Sequence, residues 1–256
     1  MKRFISKLLA AALAVMLFAA PVCALAAQPI TITSVTDNGD ATTTITWDNP
    51  NSGTVTVGSI VYDSGEAGNQ IIADFEITGN TYTFRNLAPQ VDYLLLVCPG
   101  TDLENAGVVP YTPPAVGDFD DFYFTLQEAK LAYFVPKGDS YSYNYADSLS
   151  NSEIYDLLDE KQFWVKVDFD HVTYTNDFTL STLTVVTSPT GYVVTVADDL
   201  EIPKYTTGFW QTMVYMNDAL AIMHEANGEI PTGEYNVQFY MDGRFAGEDS
   251  FTIKGR

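Results

Sequence analysis

Leu87-Ala88-Pro89-Gln90-Val91-Asp92-Tyr93-Leu94-Leu95-Leu96-Val97 sets a leucine, a proline two residues on and a tyrosine four beyond that ahead of an apolar run. The run reads as a buried strand and the proline as the turn leading into it. Upstream, short segments rich in Thr, Val, Ile and Tyr alternate with Gly, Asn, Asp and Pro clusters, the pattern of an all-β sandwich. Strands are expected over 30–35, 42–47, 59–62, 70–77 and 81–84. Between the first two, Asp37-Asn38-Gly39-Asp40 is a turn whose Asn-Gly pair tolerates positive φ. The second alternates Thr with Ile45 and Trp47, as a half-buried strand should.

The Leu87, Pro89, Tyr93 spacing resembles the tyrosine corner of fibronectin type III domains. Trp47, near the end of the second strand and followed by Asn49-Pro50, resembles the early core tryptophan of the same family. The resemblance covers about one such domain, residues 27–113. It implies a Greek-key sandwich in which the Tyr93 hydroxyl ties the corner to backbone upstream. The segment has no Arg-Gly-Asp tripeptide, so the integrin-binding role of some relatives is not implied.

Pro110, Pro113, Pro114 and Gly117 read as a linker, after which the pattern restarts. Residues 122–134 hold an apolar alternation that reads as broken by Gln127 to Lys130, and Tyr141, Tyr143 and Tyr145 alternate with Ser and Asn. Ser150-Asn151-Ser152-Glu153 has the form of a capping box, with Ile154, Leu157 and Leu158 as one apolar helical face. Further strands are expected over 163–169, 178–187 and 192–196, and helical character over 213–226. Tyr235, Val237, Phe239 and Met241 share one face of a strand that turns at Asp242-Gly243 and returns through Phe251 and Ile253, a β-hairpin. The stretch 163–254 resembles immunoglobulin-like accessory domains of Gram-positive surface and secreted proteins; this implies a sandwich and a bacterial source, and no catalytic residues. The expected fold is therefore all-β: two tandem Greek-key β-sandwich domains, 27–113 and 114–256, the second with one or two short helices.

Residues 1–26 read as a cleavable signal peptide. Lys2, Arg3 and Lys7 precede an apolar stretch from Leu8 to Ala20, and Ala24-Leu25-Ala26 fits a small-residue cleavage site. The product is expected to be secreted or extracellular, with cell-surface association left open and no membrane insertion after signal cleavage. Loss of the leader takes Cys23 and leaves Cys98 without an intramolecular disulfide partner. The whole chain carries 33 acidic and 12 basic residues; with the leader's three basic residues gone the balance is −24. Such a surface repels phosphate backbones, which argues against nucleic acid and leaves an extracellular glycan or protein as the expected partner.

Catalytic motifs are missing from the sequence: it contains no Ser-x-x-Lys, Gly-x-Ser-x-Gly, His-Glu-x-x-His or phosphate loop. The two histidines, His171 and His224, stand in different contexts. Alternation sends Asp168 and Asp170 to one strand face, the only metal pair there, against a solvated face as the plainer reading. Asp118, Asp120 and Asp121 supply hard oxygen ligands at the junction between the domains, so Ca²⁺ is the one cofactor considered. The most suggestive cluster is Tyr205, Phe209, Trp210 and Tyr215, read as a long loop whose aromatics stack on sugar faces or fill partner pockets, or else cap the core. The expectation is a non-catalytic binding or spacer module, with a glycan hydrolase using an Asp/Glu pair and a purely structural surface component as rivals.

Overall fold

The computed structural model describes residues 27–39, 42–61, 71–118, 124–137, 140–171, 177–204 and 208–255; the leader expected over 1–26 lies outside them. Among the described residues no helix is long and apolar enough to cross a membrane.

The first half forms two antiparallel sheets. One has the order β1 (Thr31–Asp37), β2 (Thr43–Asp48), β5 (Thr81–Phe84). The other has the order β4 (Ile71–Ile77), β3 (Val55–Val61), β6 (Tyr93–Pro99), β7 (Gly107–Tyr111). Strands that are neighbours in sequence change sheet between β2 and β3, between β4 and β5 and between β5 and β6, the Greek-key wiring that the resemblance implies. Trp47, Ile45, Phe84 and Leu95 meet in the core at 1% exposure or less. The corner closes as expected, because the Ala88 amide donates to the Tyr93 hydroxyl at 2.8 Å.

Two readings of this half change. The strand expected from residue 59 begins at Val55, since Val55 and Val57 are both core residues. Pro110 belongs to no linker: it lies in β7, opposite Leu94. β7 is an edge strand, so the missing N–H costs no ladder bond. Gly107, where β7 passes the start of β1, has no room for a side chain; a Cβ there would stand 2.8 Å from the Ile30 carbonyl oxygen.

The second half is also a sandwich. Its front sheet has the order β13 (Gly208–Tyr215), β10 (Phe163–His171), β8 (Phe124–Lys137), β9 (Ser140–Tyr145). Its back sheet has the order β12 (Val193–Ile202), β11 (Phe178–Thr187), β14 (Gly233–Met241), β15 (Arg244–Ile253). Phe163, Val165, Val167 and Phe169 face Tyr235, Val237, Phe239 and Met241 in a core into which Ile154 of helix α1 (Asn151–Leu157) and Leu220 of helix α2 (Asn217–Asn227) also pack. The Ser150–Glu153 capping box is present with both of its bonds. Helix α2 begins after Met213, which lies in β13, and ends on Gly228 at φ 78°. The alternation read as broken at 127–130 does break, but within one strand: β8 runs through it with a register slip at Gln127, between Leu126 opposite Phe169 and Glu128 opposite Asp168, so that Leu126 and Ala129 both face the core and Glu128 and Lys130 lie on the other face.

The back sheet is apolar on both faces. Leu180 and Val186 of β11 join the second core, while Leu183 and Val185 point the other way and join the first core with Val193 and Tyr240. The first domain thus lies against the outside of the back sheet. At the rim of this joint Arg85 reaches Asp199 at 2.5 Å and Ser181 at 2.7 Å.

Candidate functional site

Front and back sheets differ in what covers them. The front sheet's inner face fills the second core, yet Trp164, Ala132, Phe134 and Tyr215 on its outer face belong to neither core cluster. Strand alternation puts Trp164, Lys166 and Asp168 of β10 on this outer face, because Val165, Val167 and Phe169 point inward.

Register then builds a surface from four strands. Trp164 stands opposite Tyr215 of β13 and Ala132 of β8, and Ala132 opposite Tyr145 of β9. Phe134 leans toward Trp164, with ring centroids 5.9 Å apart, and Trp164 meets Tyr215 at 5.1 Å, both edge to face. Tyr143 and Tyr145 form a second pair at 5.8 Å. Tyr143 and Tyr215 are 40% and 39% exposed. The result is an aromatic ladder running across the strands.

Beside the ladder lies a group of paired charges. Lys166 is hydrogen-bonded to Asp168, and both side chains are 2% exposed. The Lys166 ammonium sits 4.8 Å from the centre of the Tyr143 ring and 3.5 Å from the Tyr145 hydroxyl. Lys130 pairs with Glu128 at 2.5 Å and lies 4.8 Å from the Tyr145 ring centre, and the Tyr145 hydroxyl donates to Glu128 at 3.2 Å. Burial is the strongest single influence on Lys166 and works to discharge it, but the bond to Asp168 and that carboxylate's charge, with the bonds to Tyr143 and Tyr145, together outweigh it and hold the lysine pKa above its usual value. Burial likewise raises Asp168, helped by the charge of Glu128, and here Lys166 only partly offsets it. The two directions agree on a charged lysine and on a carboxylate that is poorly solvated. Glu128, bonded to Lys130, is pulled the opposite way, downward.

An aspartate shifted up directly opposite a glutamate shifted down has the division of labour of a glycosidase acid and nucleophile. Access decides against that use. Asp168 is closed over and held by Lys166, so no substrate oxygen reaches it in this conformation. What the face presents is a row of part-exposed rings over paired charges.

Of the aromatics singled out in sequence, Tyr215 joins this ladder. Phe209 and Trp210 lie in strand β13, opposite Asp170 and Phe169, and not in a loop. The β13 ladder overrides the loop signal of Pro203 and Gly208. Tyr205 lies outside the described residues. Asp168 is no solvated strand residue, since Lys166 and the tyrosines cover it; the side chains of Asp170 and His171 fall outside the described residues. Asp118 bridges to Phe245, while Asp120 and Asp121 are outside the described residues. Among the described residues no group of three His, Cys, Asp or Glu is placed to hold a metal. His224, in the last turn of α2, stacks on Tyr155 at 3.5 Å. Trp164, Phe134, Lys166 and Glu128 were missed in sequence; the alternation Trp164, Lys166, Asp168 was the available signal.

No family model matches the chain, and no curated protein matches it. Among solved structures it is similar to a two-domain fibronectin type III segment of chicken tenascin, at 10% identity over 89% of this chain and 98% of that one, with a TM-score of 0.27. It is also similar to the chicken interferon gamma receptor alpha chain, at 11% identity over 90% and 100%, with a TM-score of 0.25. The fold stands on strand order and the Tyr93 corner, and nothing about ligand or role is taken from these proteins.

Proposed function

We propose that this chain is a secreted, non-catalytic binding module, and that its ligand, an extracellular glycan or protein, docks on the outer face of the front sheet. The carrying observation is the aromatic ladder, whose rings stay part-exposed where the matching face of the back sheet is covered. Binding surfaces concentrate Trp and Tyr because these rings give large contact area for few frozen torsions. A screen of the leader-free chain against glycans and extracellular proteins tests the reading. Trp164→Ala should weaken any ligand found by about 2 kcal/mol, roughly thirtyfold. A ligand indifferent to Trp164→Ala and Tyr215→Ala overturns the assignment of the face. A spacer role is the second reading, favoured by the joint that unites the first core with Leu183, Val185 and Tyr240.

A further inference from the structure

We infer, building on that reading of the front sheet, that the ligand is a neutral glycan chain laid across the four strands. Shape argues first. Tyr215, Trp164 and Tyr145 stand in one cross-strand row, with Phe134 and Tyr143 in the next, on an outer sheet face where neither core cluster of described residues lies. Three inter-strand steps of roughly 4.8 Å make a platform about 14 Å long. That is longer than one pyranose ring and lacks the groove a helix needs. Aromatic faces stack on the C–H faces of pyranoses, leaving the hydroxyl rim free for hydrogen bonds.

Charge argues second. The ions beside the platform, Lys166 with Asp168 and Lys130 with Glu128, are matched within the protein, so they call for no counter-charge. The leader-free chain as a whole, at −24, repels acidic polysaccharides. The polar atom left over at the rings fits the same chemistry. Trp164 Nε1 is a donor without an acceptor, and a sugar hydroxyl, which accepts as well as donates, matches it.

Native electrophoresis of the leader-free chain through gels containing a neutral polysaccharide (a cellulose ether, a mixed-linkage β-glucan or a mannan) or an acidic one (polygalacturonate or hyaluronate) tests this. At least one neutral polymer should retard the protein. Trp164→Ala and Tyr215→Ala should each lower its association constant about tenfold or more. Tyr143→Ala should weaken it too, and Tyr215→Ala, on the exposed edge strand β13, should do so with a nearly unchanged melting curve, which separates lost contact from lost fold. Ile222→Ala on helix α2 should bind as wild type. Retardation only by acidic polymers, retardation that ignores all three ladder variants, or no retardation at all overturns the inference. If a protein ligand then binds through the ladder, the binding-face reading survives alone; if neither kind of ligand does, both readings fall.

Discussion

The two sheets of the second sandwich share one core and treat their outer faces in opposite ways. The back sheet presents Leu183, Val185, Val193 and Tyr240, and the first domain closes over them. The front sheet presents Trp164, Tyr215, Tyr143 and two ion pairs, and among the described residues no further core cluster forms there. Aliphatic side chains gain only by leaving water, which suits a permanent joint. Tyrosine and tryptophan carry polar tips that stay tolerable in water until a partner arrives. The comparison teaches that residue type, beyond hydrophobicity as such, separates the covered face from the open one.

The largest expected effect comes from the front sheet. Lys166→Met should cost about 3 kcal/mol, because it strands the Asp168 carboxylate in a closed site. The double change Lys166→Met with Asp168→Leu should return to within about 1 kcal/mol of wild type or better. The sign with pH follows from an aspartate raised above its ordinary 3.8. A raised carboxyl stabilises the fold while protonated, so the Lys166→Met deficit should shrink as pH falls below 3.8 and grow as pH rises through the folded value. Urea unfolding across that range checks it; a deficit independent of pH would mean that Asp168 is solvated after all.

Next comes the covered face. Leu183, 4% exposed, should cost about 3 kcal/mol as Leu183→Ala. Trp164→Ala removes a larger but half-buried side chain and should cost only about 1 to 2 kcal/mol. Equal costs would erase the distinction between the faces. Tyr93→Phe should cost about 1 to 2 kcal/mol for its hydroxyl bond to the Ala88 amide, and a silent change would remove the corner from the account. Smallest is Arg85→Ala at the rim of the joint, where Arg85 and Asp199 are both near half exposed; its thermal shift should correspond to less than about 1 kcal/mol.

The first domain was legible because its signals are local. Leu87, Pro89 and Tyr93 lie within one turn, and Trp47 alternates with its own neighbours. The capping box at Ser150 and the hairpin through Asp242-Gly243 were readable for the same reason. The front sheet's face was not, because it depends on register between strands distant in sequence. Only pairing brings Tyr215 beside Trp164, and Glu128 beside Asp168. A bulge at Gln127 and two charges on an open strand face fall together, so that Gln127 to Lys130 reads, in one dimension, as an interruption of what is one continuous strand. The covered back face did leave a trace: Val185-Val186 and Val193-Val194 are adjacent apolar pairs, the mark of strands buried on both sides. Only the contact itself tells what buries them.

Hydroxyl-radical footprinting of the free, leader-free chain addresses the contrast directly, since tyrosine oxidation rises with exposure. The account predicts fast oxidation of Tyr143 and Tyr215, at 40% and 39% exposure, and slow oxidation of Tyr240, at 5% beneath the first domain. Tyr240 oxidised as fast as Tyr215 would contradict it, for the back sheet would then be as open as the front.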